Sequence, residues 1–167
     1  MFDQYSDRAR RIIFIARLKA GQDGAPRIEE SHLIASLIIE DQGGNFAKPL
    51  TGIPISGSHV TTAASVTSQV GKPFFVSETA QRLLALLEEQ SSHLQPIPAA
   101  ADLPLSAGAE TILESAVQLK QRFQHKEVRP LHVLAAALAQ NPSTKELFRE
   151  AGVTEDKVLE AVQLDAA

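Results

Sequence analysis

The chain repeats itself. Displacing the sequence by 100 residues lays Ser6 on Ser106, Ala9 on Ala109, Ile12 on Ile112 and Ala16 on Ala116, then Ile28 on Val128, His32 on His132 and Ala35 on Ala135. Apolar positions agree too: Ile13 with Leu113, Leu33 with Val133, Ile34 with Leu134 and Ile38 with Leu138. Two apolar helix faces can match by chance. A register that survives a helix, a loop and a second helix without a gap, and carries two histidines with it, argues for duplication. Each half is then a small helical unit that needs the other to cover its apolar face. The 167 residues make one domain's worth of chain, and at 44% hydrophobic it can bury a real core.

The apolar spacing is helical almost throughout. Ala9, Ile12, Ile13, Ala16 and Ala20 follow Ser6 and Asp7, and Gly21 with the Asp23–Pro26 run ends that helix. Leu33, Ile34, Leu37 and Ile38 mark a second, opened by Glu29 and Glu30 and closed by Gly43-Gly44. Ser77 precedes a helix with Leu83, Leu84 and Leu87, and Ser106 one with Ala109, Ile112, Leu113 and Ala116. Pro130 opens another through Leu138. Ser143 and Glu146 read as a capping box before Leu147 and Phe148, with Gly152 as the stop, and Thr154 starts a last helix with Val158, Leu159 and Val162. From Pro49 to Gly71 no residue is formally charged, and the spacing of Val60, Ala63, Ala64, Thr67 and Val70 predicts a short helix over 57–70, with a polar strand or loop as the alternative.

Composition removes several function classes. Zero cysteines exclude a disulfide scaffold, a thiolate metal site and a cysteine nucleophile. A net charge of -4 argues against general affinity for nucleic acid or an anionic membrane. No apolar run approaches the roughly 20 residues of a membrane span, and the start carries no basic-then-apolar leader. The expectation is a cytoplasmic globular domain. A glycine-rich phosphate loop ending in Lys and Ser or Thr is absent from the sequence.

The opening Met1-Phe2-Asp3-Gln4-Tyr5-Ser6-Asp7-Arg8-Ala9-Arg10-Arg11-Ile12-Ile13 resembles that of the amino-terminal domain of Clp-family unfoldases, in which a T-E-H-L-L segment follows about twenty residues later and the whole unit occurs twice. The counterparts here are Glu30-Ser31-His32-Leu33-Ile34 and Pro130-Leu131-His132-Val133-Leu134. Leu103-Pro104-Leu105-Ser106 is similar to the family's lead into its second repeat, and Ala151-Gly152-Val153 to its closing turn. The resemblance is densest over 1–41, clear over 102–162 and thin between. It implies an all-α, pseudo-twofold bundle of about eight helices that binds substrates or adaptors: repeat one over 1–71, an inserted helix and linker over 72–101, and repeat two over 102–164. Lacking the phosphate loop, the chain resembles the recognition module without the ATPase motor.

His32 and His132 are read as structural imidazoles that satisfy helix-end backbone groups, because a metal needs three or four ligands and neither has acid or histidine neighbours at ligand spacing. Ser6, Ser77, Ser106 and Ser143 read as helix caps rather than nucleophiles. Arg8, Arg10, Arg11 and Arg17 cluster on the first helix, as a solvated face pairing with Asp3, Asp7 or Glu40 or as a docking patch. The candidate partner-binding residues are Phe2, Arg8, Arg10 and Arg11, flanking the helix start at Glu29, Glu30 and Ser31; the resemblance adds that relatives hold partners around the first of these. Some relatives recognise phosphorylated arginine with the acid of their T-E-H segment. Ser31 and Leu131 stand at the matching positions, and neither can pair with a guanidinium as an acid does. That activity is not carried over.

No nucleophile–base constellation, metal site or cofactor motif emerges, so the expected function is non-enzymatic: a protein- or peptide-binding module acting as adaptor, decoy or accessory factor in regulated proteolysis, its partners including a Clp unfoldase–protease or its substrates. A small-ligand or stress-sensing domain on the same fold is the alternative.

Overall fold

The computed structural model describes residues 3–43, 73–89 and 103–164, and all-helical architecture holds throughout them. Seven helices are present among the described residues: α1 Asp7–Gln22, α2 Glu30–Asp41, α3 Ser77–Glu89, α4 Ala107–Arg122, α5 Pro130–Gln140, α6 Pro142–Glu150 and α7 Glu155–Leu164. Phe2 and the helix expected over 57–70 lie outside the described residues.

The two repeats begin alike. The Ser6 hydroxyl accepts the N–H of Ala9 and the Ser106 hydroxyl that of Ala109, each at 3.1 Å, which satisfies an amide that the first turn leaves without a helical partner. Both first helices close alike as well: Ala25 N–H donates to Ala20 and His125 N–H to Lys120, each at 2.9 Å. The turn requires a left-handed residue, which is Gly24 (φ 70°) in one repeat and Gln124 (φ 58°) in the other.

The central helices differ from the outer ones in pattern. Every residue from His32 to Ile38 is buried, and so is every residue from His132 to Leu138. A helix apolar all round must be covered on all sides. Accordingly α2 and α5 pack on each other, with α1 against α2 and α4 against α5. Ile12, Ile34, Ile38, Ile112, Leu134 and Leu138 fill the space between them.

The repeats also exchange backbone. The segment before α1 pairs with the segment before α5, and the segment before α4 with the segment before α2, as two parallel bridges, Tyr5–Val128 and Ile28–Leu105. The hydrogen bonds come in matched sets. Ser6 N–H donates to Val128 and Ser106 N–H to Ile28, each at 2.9 Å, while Val128 N–H donates to Gln4 at 2.7 Å and Ile28 N–H to Pro104 at 2.8 Å. This reciprocity is what a pseudo-twofold axis between duplicated units produces.

The helix between the repeats, α3, lays Ala80, Leu83 and Leu87 into the core beside α2. The approach to it is clasped by Asp41, whose carboxylate oxygens accept the N–H groups of Phe74 and Phe75 at 2.8 and 2.9 Å. Phe75 then packs edge-on against Phe148 of α6.

Two cap assignments need correction. Asn141, not Ser143, caps α6: its side-chain oxygen accepts from Ser143 and Thr144 N–H, and Pro142 takes the first helical position. Asparagine caps as well as serine and proline is pre-set for that site, so the Asn-Pro pair outcompetes the Ser143–Glu146 pattern. Ser77 is the first residue of α3 rather than the residue before it.

Candidate functional site

The crossing of the repeats decides which residues meet. Because Ile28 pairs with Leu105, the start of α2 (Glu29, Glu30, Ser31) opens beside the start of α4. Because Tyr5 pairs with Val128, the start of α1 opens beside the start of α5 (Arg129, Pro130, Leu131). The structure therefore has two pseudo-equivalent mouths, each built from two helix N-termini contributed by different repeats. A helix N-terminus carries a partial positive charge, which favours carbonyl or anionic groups at each mouth.

In the first mouth the carboxylate of Glu30 lies directly over Gly108 in the opening turn of α4, where a side chain at position 108 would collide with it. An acid seated on a helix N-terminus is electrostatically favoured. In the second mouth the pseudo-equivalents are Arg8 and Pro130, so neither of those positions carries an acid, and the first turn of α1 has its own Asp7 instead. The Arg8 guanidinium turns away to α2 and makes a two-pronged pair with Glu40, Nε to Oε1 at 2.9 Å and the second nitrogen to Oε2 at 3.0 Å.

The arginines and the α2 start, grouped together from sequence, stand apart. Arg8 meets Glu40, ten residues beyond Glu30 on α2, which at 1.5 Å per residue is about 15 Å away. Arg10 reaches the Asp3 carbonyl at 3.4 Å and lies 3.8 Å from Asp7. Arg11 is half-buried on the same helix. Glu29, Glu30 and Ser31 are all half-buried at their mouth.

The two histidines occupy identical backbone settings with different second partners. His32 Nδ1 accepts the N–H of Glu29 at 2.9 Å, and His132 Nδ1 that of Arg129 at 2.8 Å. Each imidazole thereby ties the third helical residue back to the cap, the task usually given to Glu or Gln in a capping box. An accepting Nδ1 leaves the proton of the neutral ring on Nε2. In the first repeat that nitrogen faces the buried Asp23 carboxylate at 3.4 Å, and Asp23 in turn lies 3.7 Å from Lys19, which pairs with Glu88 of α3 at 2.7 Å. In the second repeat it meets Nδ1 of His125 at 2.8 Å. Among the described residues no group of three His, Cys, Asp or Glu side chains could hold a metal ion. No helix among them is long and apolar enough to cross a membrane.

Sequence reasoning passed over the Asp41 clasp and the His125 partner. Asp41 carried a signal, since an acid in the last turn of a helix opposes the dipole and calls for other donors. From its isolation in the sequence His125 reads as a solvent-facing residue; this needs correction, since the folded turn half-buries it and brings its ring to His132.

The fold has known counterparts. The profile of the Clp repeat (R) N-terminal domain matches residues 104–166, the span of the second repeat. Comparison with curated proteins gave no match. Among solved structures, the chain resembles the N-terminal domain of the caseinolytic protease associated chaperone ClpD from Arabidopsis thaliana (TM-score 0.55, 18% identity, 96% of this chain and 93% of that one). It also resembles the Hsp104 N-terminal domain from Candida albicans (TM-score 0.64, 20% identity, 98% and 91%). A third similar structure belongs to a malarial protein secretion system (TM-score 0.64, 15% identity, 96% and 92%). The chain thus has the fold of the Clp and Hsp104 N-terminal domains, with a recognised Clp repeat over residues 104–166.

Proposed function

We propose that this chain is a non-enzymatic protein-binding module of the Clp N-terminal type, a single domain over 1–167, that captures an extended polypeptide at the two helix-start mouths. The observation that carries this reading is the reciprocal exchange of backbone between repeats, which sets two pairs of helix N-termini side by side on a frame like that of the Clp and Hsp104 domains. An extended chain offers carbonyls and carboxylates, the groups such ends attract. The two mouths differ in chemistry, Glu30 and Ser31 at one and Pro130 and Leu131 at the other, so they take different parts of a partner. On this reading the module serves as adaptor, decoy or accessory factor in proteolysis by a Clp-type unfoldase and protease, and the ATP chemistry of the motor lies outside these 167 residues, which hold no phosphate loop.

The test is fluorescence anisotropy with a labelled, permanently unfolded polypeptide such as casein. Saturable binding that unlabelled polypeptide competes away, and that magnesium-ATP leaves unchanged, is expected. Failure to bind unfolded chains, together with thermal stabilisation by a small metabolite, would overturn it in favour of a ligand-sensing domain.

A further inference from the structure

The duplication that preserved the core reversed the charge of the outer face. On α1 the outward stripe is centred on Phe14, which is 58% exposed, with Arg10 on one side and Arg17 and Leu18 one turn on. Arg11 borders the same stripe. On α4 the same positions carry Glu110 for Arg10 and Glu114 for Phe14, both exposed, with Gln118 for Leu18 and Val117 for Arg17. One repeat therefore presents arginines around an aromatic ring, and the other presents two carboxylates one turn apart, at the heights of Arg10 and Phe14, on a helix of the same 16-residue length. The pair α2 and α5 lies between these outer helices, so a molecule docked on one leaves the other open.

We propose that the basic face of α1 docks on the acidic face of α4 of a second copy of this chain, in a head-to-tail contact. The occupant is set by charge complementarity. Arg10 and Arg17 meet Glu110 and Glu114, guanidinium forks matching carboxylates, while the Phe14 ring covers Val117 and the aliphatic stems of the two glutamates. A contact between unlike faces propagates rather than closing as a twofold dimer. Two single-helix faces bury far less than the roughly 1,600 Å² of a standard interface, so the association is weak and salt-sensitive. It uses the outward stripe rather than the helix-start mouths, so it stands or falls separately from polypeptide capture.

Sedimentation velocity on the full chain tests it. At about 0.01 M salt, where charges act over roughly 30 Å, the sedimentation coefficient should rise with protein concentration up to about 1 mM; at about 1 M salt it should stay at the monomer value. The pair Arg10→Glu with Arg17→Glu, and separately Glu110→Arg with Glu114→Arg, should each abolish the rise, and an equimolar mixture of the two variants should restore it. Phe14→Ser should weaken association with the charges intact, and it decides the matter with the salt series if a charge variant fails to fold. A wild type that stays monomeric at low salt, or variants that do not rescue each other when mixed, overturns the proposal. So does an external acidic protein that binds α1 while the chain remains monomeric.

Discussion

The N–H of Ser6 donates to the carbonyl of Val128 at 2.9 Å, across the boundary between repeats. The bond ties the start of one repeat's outer helix to the start of the other's central helix, and its counterpart from Ser106 to Ile28 does the same in reverse. The caps lie within each repeat, but the segments that lead into the helices take their backbone partners from the other repeat. The two halves should therefore unfold together: calorimetry is expected to show one transition with calorimetric and van't Hoff enthalpies in agreement. Ile12→Ala and Ile112→Ala, truncating fully buried pseudo-equivalents, should each cost about 2–5 kcal/mol and lower that same transition. Two separated transitions would contradict the interlocked description.

The histidines make a sharper prediction because their role has a chemical mimic. His32→Ala leaves the Glu29 amide without its acceptor and should cost about 1–3 kcal/mol. His32→Gln should recover a large part of that loss, since glutamine three residues into a helix can reach back to the cap amide. Denaturant melts of the two variants check this, and equal destabilisation by Ala and Gln would refute the capping role.

Tyr5 couples the fold to alkaline pH. It is buried at the crossing, its hydroxyl donates to the Leu113 carbonyl at 3.3 Å, and burial raises its phenol above the usual value of 10.0. A group with a raised folded-state value favours folding fully below its unfolded value and loses that contribution as pH climbs through the folded value. Stability should therefore decline above about pH 10. As the chain's single tyrosine, with no tryptophan present, Tyr5 can be followed by phenolate absorbance alone. Ionisation at or below the free-tyrosine value would show that the ring is not held as described.

The left-handed turn residue offers an internal control. Gln124→Gly should stabilise the protein by about 1 kcal/mol by relieving the αL penalty, while Gly24→Gln at the pseudo-equivalent turn should destabilise it by a similar amount. Thermal melts with the same sign for both would contradict the shared turn geometry.

What the sequence disclosed followed from periodicity and local chemistry. The paired cores, the Ser6 and Ser106 caps and the Gly152 stop were legible because each depends on neighbours within a turn or on the repeat offset. The crossing was not. Which segment pairs with Ile28 is decided by how two finished helical units dock, and no local pattern at Ile28 names Leu105. Glu40 was among the acids the sequence offered to the first-helix arginines, and Arg8 takes it. That pair sets the start of α1 against the end of α2, within one repeat, and so away from Glu29–Ser31. Asn141 was missed for a local reason: two competing capping patterns overlap within three residues, and the proline breaks the tie.

The central claim is that the two helix-start mouths grip a partner polypeptide, and residue-resolved amide spectra of the labelled chain test it most directly. Adding an unfolded polypeptide should shift amides clustered at 5–8, 29–32, 105–108 and 129–132, the positions where the repeats exchange backbone, and magnesium-ATP should shift none of them. Shifts confined to other surfaces, or none at saturating polypeptide, would contradict the account.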